Sequence, residues 1–262
     1  MRKVFAEAAA AHEDLLPEDI GLGPYDGAIR AQIEERERRR RLLGSHATKG
    51  GGPERGLVGW WAFDESNDAP VTLDYSGNRH GAELDLATRA EGKEGNALVC
   101  NGGSASVPPF EALSMTSAVT VACWVKTAVA EQKNQWFVNR VLAGGTDSGF
   151  RLGVLGGRPC FQVPVTGFSH ALTAATPLAT NQWIHVAGTF DGETMRIYVD
   201  GIECGSLPRP GPIKPNQFPL CLGNYDRRHK AYFDGLLDEV KIYDRALSAE
   251  EFRRQIEAAA GR

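Results

Sequence analysis

The run Asn181–Gly201, NQWIHVAGTFDGETMRIYVDG, leaves this chain few folds to choose from. Ile184, Val186 and Phe190 share one parity in its first half, and Met195, Ile197 and Val199 alternate with Arg196, Tyr198 and Asp200 in its second. Alternation of period two suits a strand with one face on a core. Asp191-Gly192 and Asp200-Gly201 follow the two runs, and Asp-Gly tolerates the positive φ of tight hairpin turns. The stretch therefore predicts antiparallel sheet folding back on itself.

Length and composition agree with a turn-rich β fold. The chain has 262 residues, room for one large all-β domain with an appendage, and its 30 glycines lie among many short apolar runs. A formal net charge of −4 argues against general affinity for nucleic acid, and no apolar run is long enough to span a membrane. Near the amino terminus Glu7 and the His12-Glu13-Asp14 run leave a secretory h-region poorly formed.

Residues 1–16 carry apolar positions at helical spacing, and Ala28–Leu43 is rich in helix formers, with Glu34 and Glu35 placed to pair with Arg38 and Arg39. The arginines at 36 and 38–41 are matched by acids over residues 1–56, and no aromatics lie among them for bases to stack on. A glycine-rich linker follows, so residues 1–55 are expected to form a helical appendage dispensable for folding, and residues 56–262 the β domain. Leu57–Phe63 reads as a strand covered on both sides, and Ala97–Cys100 and Ser104–Val107 as a hairpin across Asn101-Gly102-Gly103. Val119–Lys126 alternates so that Trp124 faces away from Val119, Val121, Cys123 and Val125. Ala128–Gly149 reads as a long loop holding Trp136, and Phe150–Val165 as a hairpin whose Pro159 and Pro164 suggest an edge strand. Gly235–Tyr243 is the last strand, and Ser248 with Glu251 forms a capping box opening a helix over 249–259.

Four pieces in order, GLVGWWAFDES, DYSGNRHG, W-x-H-V-A-x-T-F-D-G with RIYVDG, and FDGLLDEVKIYDRALSAEEF, resemble the laminin-G-like, concanavalin A-like jelly-roll family over roughly residues 56–256. The resemblance implies an antiparallel β-sandwich and a binding or spacer role; it names no ligand. It also implies export, whereas an odd count of 5 cysteines favours free thiols, with Cys100 and Cys123 as buried apolar side chains and a Cys204–Cys221 pair left open.

The paired carboxylates of a glycoside hydrolase have no recognisable counterpart, since a Glu-x-Asp-x-x-Glu strand is absent. His185 has no partner at triad or metal-ligand spacing and reads as a hydrogen-bonded strand histidine. The expected function is a non-catalytic module recognising a glycan or protein partner, with Trp136, Phe168 and Tyr225 as loop aromatics able to stack on a sugar. A passive spacer, or a hydrolase or lyase with an unrecognised site, are the alternatives.

The resemblance further implies a structural calcium held by Asp64 and Asp238, with backbone oxygen from the Asn78–Gly81 loop. Asp238 shares the parity of Leu236, Val240 and Ile242, and a carboxylate in an apolar stripe needs a partner or a cation. Pairing of Asp238 with Arg79 or Arg245, or a bulge turning it outward, accounts for the same residue equally well.

Overall fold

A computed structural model describes residues 26–43, 54–128, 134–141, 148–165, 170–224 and 232–260. The chain divides into two compact units, residues 1–41 and 42–262. The expected helix over 1–16, the glycine-rich linker, Phe168 and Tyr225 lie outside the described residues. In helix α1 (Asp26–Leu43) Glu35 accepts from Arg38 at 2.8 Å and Arg39 at 2.7 Å, and Arg41 lies 3.9 Å from Glu37.

The strands are, in order, β1 (Leu57–Trp61), β2 (Val71–Thr72), β3 (Ala82–Asp85), β4 (Thr88–Glu91), β5 (Asn96–Val99), β6 (Ser104–Val107), β7 (Val119–Thr127) and β8 (Gln135–Asn139). They continue with β9 (Arg151–Leu155), β10 (Arg158–Gln162), β11 (Leu172–Thr173), β12 (Ile184–Phe190), β13 (Thr194–Val199), β14 (Ile202–Pro208), β15 (Leu220–Leu222) and β16 (Gly235–Tyr243); helix α2 (Ala249–Ala260) follows. They form two antiparallel eight-stranded sheets. Sheet A runs β14-β13-β12-β7-β16-β5-β4, with β1 also on β16, and sheet B runs β11-β10-β9-β8-β15-β6-β3-β2.

The Asp-Gly turns fold as the sequence predicts, β12 pairing β13 and β13 pairing β14. Three expectations need correction. Residues 97–107 are not a hairpin: β5 pairs β4 and β16 in sheet A, whereas β6 pairs β3 and β15 in sheet B, so Asn101-Gly102-Gly103 carries the chain between sheets. β10 is not an edge, because β11 pairs on its far side despite Pro159. Residues 135–139, expected in a loop, are strand β8.

The inward parities of both sheets fill one core. Val121, Cys123, Val186, Ile197 and Ile242 come from sheet A, and Val107, Phe137, Leu152, Phe161 and Leu222 from sheet B. Gly188 on β12 is the close-approach point: a Cβ there would overlap the ring of Phe161, so only glycine admits that ring. All five cysteines are free; Cys204 on β14 and Cys221 on β15 belong to different sheets. Burial pushes the thiols of Cys100 and Cys123 far above the ordinary range, as befits core side chains. Glu54 already belongs to the sandwich, accepting from Lys241 Nζ at 3.1 Å and from the Tyr243 hydroxyl, so a chain trimmed to Arg55 loses a carboxylate that β16 uses.

Candidate functional site

Each sheet also has an outward face, and the two faces differ in chemistry. On sheet A the outward parity of β7, β12 and β13 presents Ala122, Ala187 and Tyr198, which pack with Tyr243, Leu247 and Phe252 in a second apolar cluster. Small alanines let α2 approach the sheet, and Phe252 is fully buried there, 5.0 Å from the Tyr198 ring. The capping box opens this helix: Ser248 N donates to Glu251 Oε2 at 2.9 Å, and Glu251 N donates to Ser248 Oγ at 3.3 Å. His185 lies beneath it, edge-on to Trp124 at 5.4 Å and 5.7 Å from Phe252. Its Nδ1 has no hydrogen-bond partner among the described residues, contrary to the expected satisfied histidine, and burial, then Lys241, lowers its pKa to about 3. It stays a neutral packing group.

Farther along the same face β16 bulges. Asp238 opposes Trp124 while Lys241 opposes Ala122, so three steps on β16 match two on β7. Glu239 takes up the extra residue at φ 50. Before the bulge Leu237 is in the core; after it Val240 and Ile242 are. The apparent stripe Leu236, Asp238, Val240, Ile242 is therefore broken, and Asp238 lies on the outward side, yet fully buried. The β4–β5 turn covers it: Asp238 Oδ2 accepts from Lys93 N at 2.8 Å and Glu94 N at 3.0 Å, and Oδ1 from Glu239 N at 2.7 Å. No lysine or arginine among the described residues pairs with it; Arg245 is committed to Glu251. Burial pushes Asp238 up to about 8, opposed by those N–H groups and assisted by the Glu239 carboxylate.

Sheet B's outward face is polar. Cross-strand register places Glu83 opposite Ser106, Ser106 opposite Cys221, Cys221 opposite Asn139, Asn139 opposite Arg151, and Arg151 opposite Gln162. One row thus crosses β3, β6, β15, β8, β9 and β10, a span of roughly 24 Å at the usual strand spacing. Arg151 and Glu83 are its half-buried members; the others are buried. Beside the row, Trp136 opposes Gly153. A Cβ on Gly153 would sit 2.8 Å from Trp136 Cε3, so the missing side chain is what lets the indole lie there. Arg151 stacks its guanidinium 4.0 Å from the Trp136 ring centre while its Nε donates to Gln162 Oε1 at 2.5 Å.

A jelly roll with one polar face invites comparison with known proteins. Residues 100–253 match the family Laminin_G_3, the concanavalin A-like lectin/glucanases superfamily. The chain belongs to that superfamily. No curated protein matches it in sequence. Among solved structures, domain 4 of the extracellular arabinanase AbnA from Geobacillus stearothermophilus, in complex with arabinotriose, aligns at TM-score 0.59 and 22% identity, covering 77% of this chain and 98% of that one. The binding domain of Paraclostridial Mosquitocidal Protein 1 aligns at TM-score 0.61 and 18% identity over 78% of this chain and 52% of its own. The binding domain of Botulinum neurotoxin DC, in complex with rat synaptotagmin II, aligns at TM-score 0.60 and 13% identity over 78% and 52%. This chain spans about half the length of those toxin domains, and at these identities the likeness is one of fold.

Of the expected site residues, Phe168 and Tyr225 lie outside the described residues. Trp136 is a buried strand residue capped by Arg151, not an exposed loop aromatic. Asp64 and Asp238 each border the β4–β5 turn, at its two ends: a Cβ on Gly92 would be 2.7 Å from Asp238 Oδ2, one on Gly95 would overlap Asp64 Oδ1, and Asn96 N donates to Asp64 Oδ1 at 2.9 Å. Gly81 is held elsewhere, beside β2, where a Cβ would be 2.8 Å from Thr72 O. Among the described residues no three His, Cys, Asp or Glu side chains cluster as a metal site. The row residues Asn139, Arg151 and Gln162 escaped sequence reasoning. Their signal is their parity against Val138, Leu152 and Phe161, but only register shows that they are neighbours.

Proposed function

We propose that this chain is a non-catalytic glycan-binding module whose ligand is read on the outward face of sheet B. The observation that carries the reading is the in-register polar row that ends in Arg151 and Gln162, with Trp136 beside it. Sugar hydroxyls both donate and accept, so the guanidinium of Arg151 and the carboxylate of Glu83, the half-buried members of the row, suit them. The arabinotriose complex of the arabinanase domain lends support by fold; the synaptotagmin complex of the neurotoxin domain keeps a protein partner as the competing reading. Glu83 is the one carboxylate in the row, and two-carboxylate hydrolysis needs a pair flanking the scissile bond. A glycan array and a pull-down, each run on the whole chain and on an Arg151→Ala/Gln162→Ala variant, test it. Binding to a defined glycan set that the double variant loses is expected. Retention of a protein partner without any glycan would replace the reading.

A calcium at Asp64 and Asp238 belongs to the same proposal. What supports it is a fully buried carboxylate without a cationic side chain, a second carboxylate across one four-residue turn, and two glycines whose missing side chains admit both. Those two aspartates, without Gly81, would hold the ion, which would tie the end of β1, the β4–β5 turn and the bulge of β16 together.

A further inference from the structure

Asn101-Gly102 is the one Asn-Gly pair in the chain. Both residues are exposed, Gly102 sits at φ 86, and a Cβ built on it would meet nothing within 4 Å. No hydrogen bond among the described residues engages the Asn101 amide or the Gly102 N–H. Three other asparagines are tied down: Asn78 Nδ2 donates to Val58 O at 3.0 Å, Asn139 Nδ2 to Val141 O at 2.9 Å and Asn216 Nδ2 to Arg140 O at 2.9 Å. Each of these also precedes a residue whose side chain would crowd an approaching backbone nitrogen.

We infer that Asn101 is a site of spontaneous deamidation, and that its conversion loosens the crossover between the two sheets. Gly102 N, after losing its proton to solvent base, attacks Asn101 Cγ. The new N–Cγ bond forms, the Cγ–Nδ2 bond breaks, and Nδ2 leaves as ammonia, giving a five-membered succinimide. Water then opens the ring at Cγ to give aspartate, or at the backbone carbonyl to give isoaspartate. The balance is one amide and one water converted to one carboxylic acid and one ammonia, with no change of oxidation state. Glycine favours the attack because no Cβ blocks it and its φ and ψ are broadly permitted.

The crossover makes the product matter. Cys100 N donates to Gly235 O at 2.9 Å in sheet A, Gly103 N returns to Cys100 O at 3.3 Å, and Ser104 already begins β6 of sheet B. Gly103 has no slack, since a Cβ there would be 2.5 Å from the backbone of Ala87. Isoaspartate adds a methylene to the main chain inside this three-residue link, and either product adds a negative charge to a chain already at −4.

The test is to age the purified full chain at mildly alkaline pH, follow ammonia release, and map peptides with isoaspartyl methylation as the readout. Aspartate and isoaspartate are expected at position 101 ahead of every other asparagine, faster at higher pH, and absent from Asn101→Gln, whose longer side chain disfavours the five-membered ring. The isoaspartyl fraction is expected to melt below unaged protein. An intact Asn101 while another asparagine converts would overturn the site, and coincident melts of the aged and fresh chains would overturn its link to the crossover.

Discussion

The two outward faces of this sandwich start from the same strand alternation and end with opposite chemistry. On sheet A, Ala122 and Ala187 keep the surface low enough for α2 to pack, and Phe252 seals it. On sheet B the equivalent positions are Ser106, Asn139, Arg151 and Gln162. A strand with one face in the core must still dispose of its second face. Small and aromatic residues hand that face to the next element of the chain; on sheet B the face keeps polar side chains in register.

Removing the seal should have the largest effect. Phe252→Ala leaves a cavity between α2 and sheet A and is expected to cost about 3–5 kcal/mol, as for other buried phenylalanines. Urea unfolding would measure it. A loss below about 1 kcal/mol would mean that α2 is an ornament and that the outward face of sheet A is not closed by it.

The rest of that face is closed at the bulge, and calcium sharpens how. Binding only the folded state at 100 times its Kd, calcium should add about 2.7 kcal/mol over an EDTA-treated sample. The pH dependence gives a second reading. In EDTA, Asp238 is raised to about 8 when folded against about 3.9 unfolded, so its protonated form is favoured by the fold. The stability it contributes is complete below pH 4 and is lost as pH rises from there through about 8. Asp238→Asn, which cannot titrate, should flatten that slope, and calcium should do the same in the wild type. Melts indifferent to both EDTA and pH would show that the three backbone N–H groups satisfy the carboxylate alone.

Much of this was legible in the sequence, for local reasons. The Asp-Gly turns, the alternation of β7, β12 and β13, the bounds of β16 and the Ser248–Glu251 box all depend on residues within a few positions of one another. What escaped depends on long-range pairing. A single residue, Glu239, shifts the phase of β16, so Asp238 seemed to lie in a core stripe that the bulge interrupts. Trp136 looked like a loop residue because β8 is short and carries polar neighbours, and its platform, Gly153, lies on another strand. The polar row joins strands that are mostly not consecutive in the chain, so no local pattern announces it.

Gly153 tests whether Trp136 is a built feature of sheet B. Gly153→Ala forces a methyl against the Trp136 ring and the Gln135 carbonyl and is expected to cost about 1–3 kcal/mol, the range for overpacking. Quenching or shift of tryptophan fluorescence should accompany the loss. An unchanged melt would mean that the indole can leave the strand freely.

The smallest effect on stability should carry the largest consequence for binding. Arg151 is half-buried, stacked on Trp136 and bonded through Nε to Gln162. Arg151→Lys keeps the charge and most of the aliphatic stem, so stability should change by less than about 1 kcal/mol, within the range of surface substitutions and cation–π contacts. The planar fork is lost, however, and with it the Nε donor that holds Gln162. On any glycan identified by array, affinity should fall about tenfold or more, equivalent to about 1.4 kcal/mol. Titration calorimetry and a urea melt on the same sample separate the two quantities. Affinity equal to wild type at equal stability would remove Arg151 from the site and leave sheet B's polar row as a structural feature of the sheet.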